Sequence, residues 1–129
     1  MQTGISTIVQ SKMAKKNILI AEDRDFLADI IETCLSGDCK CFKVQTGPEA
    51  LAISENIDCA VISTNVQGIG NVELLRGIKE KFAGIPVVIL TTNTTSMKRI
   101  MFLKEGADDV MTKPFNPDEL ALRVKRLLK

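Results

Sequence analysis

Unbroken runs of apolar residues recur along the chain. The clearest are NILIA at 17–21, CAVIS at 59–63, PVVIL at 86–90 and the shorter DVMT at 109–112. An apolar run of strand length without alternation indicates a strand covered on both faces, which is typical of a parallel sheet. A weaker run, CKCFKVQT at 39–46, alternates between apolar and polar residues, and we expect it to form an edge strand.

Segments with helical spacing separate these runs. Apolar residues recur at the helical period in 26–35 and 72–82. Pro48 stands at an expected first helical position, and Asn116 followed by proline predicts the start of a last helix. Because strand and helix alternate five times, the sequence predicts a single α/β domain. Its five-stranded parallel sheet would be doubly wound, with helices on both faces.

Composition limits the classes of function. The chain has 129 residues, 45% of them hydrophobic, with 17 basic and 16 acidic residues and a net charge of +1. This length suits one domain with its own core. The balanced charge disfavours nucleic acid and anionic membranes as partners, and every apolar run is far shorter than the ~20 residues of a membrane-spanning helix. We therefore expect a cytoplasmic protein.

The N-terminal segment carries no recognisable signal. Residues 1–15 lack the long apolar stretch of a secretory signal, and Met13 would itself be a natural start. We expect a loosely ordered extension there and a domain over 16–129, with no room for a DNA-binding domain after the last helix. Cysteines at 34, 39, 41 and 59, without any histidine, favour free thiols over disulfides or a zinc site.

Polar residues follow the predicted strands. The carboxyl ends of parallel strands meet at one edge of a doubly wound sheet, where ligands bind. The residues that would meet there are Glu22, Asp23, Ser63, Thr91, Lys113 and Pro114.

Three segments at this edge carry a family resemblance. ILIAEDRDF, IPVVILTT and GADDVMTKPF, in this order, resemble the receiver domain of bacterial response regulators in two-component phosphorelays. The likeness extends from Lys16 to Lys129. It implies a CheY-like, flavodoxin-like arrangement with strand order 2-1-3-4-5, and a cis peptide bond between Lys113 and Pro114.

The resemblance also implies a phosphorylation site. In receivers, an aspartate after the third strand accepts a phosphoryl group, an acid pair holds Mg²⁺, and a hydroxyl and a lysine contact the phosphoryl oxygens. Here Ser63 aligns with the acceptor, and a neutral hydroxyl is a poor substitute for an ionised carboxylate. We expect Glu22 and Asp23 to be weak residual Mg²⁺ ligands or an acidic edge that pairs with Lys113, and we expect no required cofactor.

Other marks of the family are weak or absent. The switch position three residues before Lys113, often aromatic in receivers, is Val110. No substitute acceptor is evident, because Asp58 and residues 108–109 precede their strands at the opposite edge, and Asp25 is expected to cap the first helix.

A partner-binding surface is also implied. In receivers, the face formed by the fourth helix, fifth strand and fifth helix is the usual docking and dimerisation surface. The residues predicted on it here are Met97, Lys98, Arg99, Met101, Lys104 and Met111.

The sequence thus predicts a pseudo-receiver, a non-enzymatic interaction module whose partner is a histidine kinase or another two-component signalling protein. A homodimer through the same face is a further option. Two alternatives stay open: a receiver phosphorylated at another acceptor or at Ser63 itself, and an engineered Asp-to-Ser variant of an ordinary receiver. A small serine enzyme with a Ser63 and Lys113 pair is a remote third.

Overall fold

Five parallel strands form one sheet in this computed structural model, which describes residues 15–37, 39–93 and 95–128. The strands are β1 (Lys16–Ala21), β2 (Cys39–Val44), β3 (Cys59–Ser63), β4 (Val87–Thr91) and β5 (Asp109–Thr112). Their order is β2-β1-β3-β4-β5, with β2 at an edge, so the predicted topology is confirmed. The predicted extension at residues 1–15 lies outside the described residues except for Lys15.

Five helices connect the strands. They are α1 (Asp25–Leu35), α2 (Gly47–Leu51), α3 (Asn71–Lys81), α4 (Ser96–Lys104) and α5 (Pro117–Leu127). Asn116 caps α5 as predicted, since its side-chain oxygen accepts from the backbone N–H groups of Asp118 and Glu119. Asp25 is not a cap; it is the first residue of α1, and Arg24 before it makes no side-chain capping bond. The cap of α2 is Thr46, so Pro48 is the second helical residue.

Alternate residues of the strands point into two cores, one on each face of the sheet. Ile18 and Ile20 of β1 pack in a core under α1 and α5. Leu19 and Ala21 pack in the other core, under α2, α3 and α4. Because both faces are covered, the central strands β3 and β4 are buried along their whole length. The continuous apolar runs of the sequence reflect this two-sided burial.

The cysteines are free thiols, as expected. Cys39 and Cys59 are buried, and Cys34 and Cys41 are half-buried. Burial raises the pKa of the Cys41 thiol to about 11 and that of Cys59 to about 12. These thiols are therefore packing groups rather than nucleophiles. Among the described residues, no helix has the length and apolar character needed to cross a bilayer.

Candidate functional site

A buried lysine joins the ends of β1 and β3. Ala21 pairs with Ile62 in the sheet, so Glu22 after β1 and Ser63 at the end of β3 lie side by side. Lys113, just after β5, reaches across this edge. Its Nζ donates to Glu22 Oε1 at 2.6 Å and to Ser63 Oγ at 2.7 Å. The Glu22 side chain is 0% exposed and that of Lys113 is 9% exposed, so the ion pair is almost completely removed from water.

Backbone N–H groups complete the hydrogen bonding at this edge. Three strand-end side chains each accept from the residue two positions further along the chain. The Arg24 N–H donates to Glu22 Oε2 (3.0 Å), the Asn65 N–H to Ser63 Oγ (3.3 Å) and the Asn93 N–H to Thr91 Oγ1 (3.1 Å). No buried side-chain nitrogen or oxygen of the described residues lacks a partner, so the cluster is satisfied by protein groups alone.

The two acidic residues after β1 have different surroundings. Burial alone would raise the pKa of Glu22, but hydrogen bonds from Asp23, Lys113 and the Arg24 N–H outweigh it, and the pKa of Glu22 lies below its ordinary value. Asp23 is exposed, and its carboxyl group beside Glu22 has a raised pKa, because it shares a hydrogen bond with that carboxylate and feels its charge. Glu22 is thus the more acidic member of the pair.

These residues make a poor fit to a divalent cation. Both oxygens of Glu22 are occupied, one by Lys113 and the other by the Arg24 N–H. Ser63 contributes a neutral hydroxyl that already accepts from Lys113. Mg²⁺ prefers carboxylate oxygens in octahedral geometry. Within the described part of the chain, no group of three or more acidic or thiol side chains is arranged to hold a metal ion.

The comparison with known proteins identifies the family. A family model described as the response regulator receiver domain matches residues 18–125. The chain belongs to this family. It is a receiver domain of two-component signalling, and its fold is the flavodoxin-like fold of CheY-like proteins.

Relatives of this receiver include longer regulators. It is 36% identical over 115 residues to the regulatory protein VanR of Enterococcus faecium, covering 87% of this chain and 49% of VanR. It is 33% identical over 116 residues to the response regulator SaeR of Staphylococcus aureus, covering 87% of this chain and 50% of SaeR. The receiver therefore spans about half the length of these curated relatives.

Solved receiver domains have the same backbone arrangement. The Francisella response regulator 1452 receiver domain superimposes with a TM-score of 0.82 at 31% identity, covering 88% of this chain and 97% of that one. A BeF3-activated DrrB receiver domain gives a TM-score of 0.84 at 28% identity, covering 89% and 98%.

Only some of the predicted site residues come together in this receiver. Glu22, Ser63 and Lys113 are in contact, and the Lys113–Pro114 peptide bond is cis. Thr91 is buried at the end of β4, where its hydroxyl oxygen accepts from the Asn93 N–H. Val110, at the predicted switch position, is partly buried against the core beneath α4.

The predicted partner face needs one correction. Met97, Lys98, Arg99 and Lys104 are exposed on α4, and Met101 is partly buried against the core. Met111 is only 7% exposed and packs in the core under α1 and α5, so its assignment to the partner face was wrong. It alternates with Val110 along β5 and therefore points to the opposite face of the sheet.

A partly apolar cleft beside the lysine was not predicted from the sequence. It has a volume of about 420 Å³ and runs between α1 and the loop after β5. Leu27, Ile30 and Phe115 form apolar walls, and Lys113 and Asn65 lie at its polar end. The sequence does not identify the three backbone donors, because every residue except proline carries a backbone N–H group. No spacing in the sequence identifies Asn65 either.

Proposed function

We propose that this receiver acts by protein-protein interaction and does not form an aspartyl phosphate. The observation that carries the proposal is Ser63, which ends β3, is 0% exposed and accepts a hydrogen bond from Lys113. By the family resemblance, Ser63 takes the position of the phosphoacceptor aspartate. The rest of the edge, including the acidic residue and the lysine, keeps the family's residue types.

The chemistry of the serine supports this proposal. Attack on a phosphoryl group needs an ionised nucleophile or a base that removes its proton. Lys113 is ion-paired with Glu22 at 2.6 Å, and it donates to the serine oxygen instead of accepting a proton from it. The same arrangement argues against a serine enzyme, so a non-enzymatic role is the better proposal.

Three other aspartates of the described chain, Asp25, Asp58 and Asp108, offer no replacement for the acceptor. Asp58 accepts from the Asn17 N–H at the start of β1, and Asp108 accepts from the Val87 N–H at the start of β4. Both lie at the edge of the sheet opposite Ser63. Asp25 is exposed and accepts from the Gln45 side chain. None of these carboxylates contacts Lys113, which the family uses to bind phosphoryl oxygens.

Weak binding of Mg²⁺ follows from the same contacts. With both oxygens of Glu22 engaged and a neutral group at Ser63, Asp23 is the one carboxylate of the cluster left for a cation. We propose that no cofactor is required. Isothermal titration is expected to give no tight, stoichiometric uptake of Mg²⁺, whereas Ser63→Asp is expected to bind measurably more tightly.

The proposed setting is a cytoplasmic two-component pathway, with a histidine kinase or another signalling protein of that pathway as partner. Titration of the chain with Mg²⁺ and beryllium fluoride, followed by amide NMR, tests the proposal, because this phosphoryl mimic bonds to an acceptor carboxylate. We expect beryllium fluoride to add no shifts around Glu22, Ser63 and Lys113 in this chain beyond those that Mg²⁺ alone causes. Saturable shifts there would contradict the proposal, and Ser63→Asp is the matched positive control.

A further inference from the structure

The cleft between α1 and the loop after β5, which we call the α1 cleft, has apolar walls and one polar end. Its volume of about 420 Å³ falls within the range of roughly 300–1,000 Å³ that is usual for small-molecule sites. Leu27 and Ile30, three residues apart on α1, form one wall, and Pro114, Phe115 and Pro117 form the other. The residues at the polar end are Arg24, Asn65, Thr92 and Lys113. The α1 cleft therefore has room for a small molecule with one polar group and one apolar part.

Three side chains at the polar end have free hydrogen-bonding capacity. The guanidinium of Arg24, the carboxamide of Asn65 and the hydroxyl of Thr92 have no hydrogen-bond or ion-pair partner among the described residues. Arg24 and Asn65 use only their backbone groups in the contacts at this edge of the sheet. Water satisfies such exposed side chains, and a ligand with matching groups can displace that water.

Lys113 adds one more donor. An ammonium group carries three N–H donors, and Lys113 directs two of them to Glu22 Oε1 and Ser63 Oγ. The third N–H has no acceptor among the described residues. The Lys113 side chain is only 9% exposed, so a bond from this N–H to a ligand would be shielded from water and correspondingly strengthened.

The charges of the α1 cleft favour an anion. Arg24 and Lys113 are cationic, and none of the described residues that line the cleft is acidic. Glu22 lies 2.6 Å from Lys113 and offsets its charge, although it does not line the cleft. Arg24 therefore supplies the excess positive charge. A single negative charge matches this excess better than the double charge of a phosphate group, which the Glu22 carboxylate would repel.

The donors at this end suit a carboxylate. The guanidinium of arginine is planar and presents paired N–H groups that match the two oxygens of a carboxylate. The carboxamide of Asn65 and the hydroxyl of Thr92 can donate to the same oxygens. An apolar group attached to that carboxylate would lie along Leu27, Ile30 and Phe115, where its removal from water favours binding.

We infer that the α1 cleft binds a small organic monocarboxylate, with its carboxylate at Arg24 and Lys113 and its apolar part between α1 and the loop after β5. Binding requires neither an aspartyl phosphate nor a divalent cation, so this inference goes beyond the proposed function and does not depend on it. Because the ligand would bridge two elements of the folded chain, it would also stabilise the fold increasingly as its concentration rises.

Amide NMR titration with phenylpropionate tests the inference. This probe joins a carboxylate to a phenyl ring; phenylpropionamide lacks its charge, and acetate lacks its ring. We expect phenylpropionate at millimolar concentration to give saturable shifts at Leu27, Ile30, Asn65 and Phe115. We also expect it to bind about tenfold or more tightly than either matched probe. Absence of saturable shifts, shifts confined to other surfaces, or equal binding of the amide would overturn the inference.

A charge variant tests the polar end. Arg24→Gln removes the cation but keeps the backbone N–H that donates to Glu22 Oε2, so the buried cluster is unchanged. We expect it to bind phenylpropionate about tenfold more weakly, as loss of a charge-assisted hydrogen bond does. The matched control is Arg99→Gln, which removes the same charge from exposed α4 and is expected to bind like the parent chain. Equal weakening in both variants would show a general charge effect and overturn the inference.

A second variant tests the apolar wall. Ile30→Ala shortens the wall on α1 and is expected to weaken binding of phenylpropionate about fivefold, while leaving that of acetate unchanged. Ile100→Ala, at a 51% exposed position on α4, is the matched control and is expected to have no effect. Unchanged binding of phenylpropionate by Ile30→Ala would contradict the placement of the phenyl ring.

Two other ligands give distinct results. Inorganic phosphate that binds as tightly as phenylpropionate would assign the polar end to a simple anion site and overturn the inference. A tripeptide ending in phenylalanine presents the same carboxylate and ring on a longer chain, and much tighter binding of this peptide would assign the cleft to the C-terminus of a partner protein instead. Phosphorylation is measured separately, so failure of these titrations leaves the proposed lack of aspartyl phosphate intact.

Discussion

Replacing Lys113 by methionine would leave the Glu22 carboxylate buried without its cation. The side chains are 9% and 0% exposed, so water can do little to replace the lost contact at 2.6 Å. Removing one partner of a buried ion pair typically costs about 3–5 kcal/mol. The Arg24 N–H still holds one oxygen of Glu22. We therefore expect Lys113→Met to lower the free energy of unfolding by about 3 kcal/mol at neutral pH, the lower end of that range.

The loss of stability in Lys113→Met should depend on pH and should be smaller at low pH than at neutral pH. In the parent chain the pKa of Glu22 lies below its ordinary value of 4.5, so its contribution to stability is present above that pH and is lost as the pH falls through the folded-state pKa. In the variant, we expect the pKa of Glu22 to be higher than in the parent chain, because Lys113 no longer opposes the effect of burial, so the variant should lose stability relative to the parent chain as the pH rises. Near pH 4, the difference in the free energy of unfolding between the parent chain and Lys113→Met should therefore shrink to about 1 kcal/mol, which is the typical contribution of one hydrogen bond.

Urea denaturation followed by circular dichroism measures this difference, since the chain has no tryptophan or tyrosine for fluorescence. Lys16→Met, at an exposed position on β1, is the control and should change stability by less than about 0.5 kcal/mol. Adding Glu22→Gln to Lys113→Met should recover part of the loss, because the buried charge is gone. A loss below about 1 kcal/mol that is independent of pH would refute the reasoning.

Three further predictions concern other contacts. Ser63→Asp adds a second buried carboxylate beside Glu22, so without metal it should lower the free energy of unfolding by about 1–2 kcal/mol, and Mg²⁺ should reverse this loss. Thermal unfolding measures both effects, and equal stability with and without Mg²⁺ would contradict the prediction. Asn116→Ala removes the cap of α5 and should cost about 1 kcal/mol in urea denaturation; no change would argue against the cap. Cys41 and Cys59 should react slowly with a thiol reagent near neutral pH and fully after denaturation, because burial raises their pKa values to about 11 and about 12; fast labelling of the folded chain would contradict this.

The sheet was predictable from the sequence because burial on both faces leaves a simple signal. Central strands β3 and β4 have no solvent-facing side, so their residues are apolar without alternation, whereas the edge strand β2 includes the exposed residues Lys40 and Lys43. Once the strands are placed, their carboxyl ends coincide at one edge. The contact between Glu22, Ser63 and Lys113 follows from that geometry, although these residues are far apart in the chain.

Other features depend on local backbone direction, which residue types do not reveal. Asp23 follows Glu22 directly, yet it is exposed while Glu22 is buried, because the chain turns away from the sheet there. The Arg24 N–H is used by Glu22, and Asp25 enters the helix instead of capping it. Met111 was assigned to a surface from its position on β5, but alternation along the strand directs it into the core.

Intact-mass analysis after incubation with Mg²⁺ and a small acyl-phosphate donor tests the central claim most directly. The chain and its Ser63→Asp variant should be measured in parallel, with Lys113→Met in the aspartate background to show dependence on the lysine. We predict that only Ser63→Asp gains a phosphoryl group, because the remaining residues at the edge of the sheet keep the family's types. A phosphoryl group on the unmodified chain would contradict the claim that Ser63 silences this receiver.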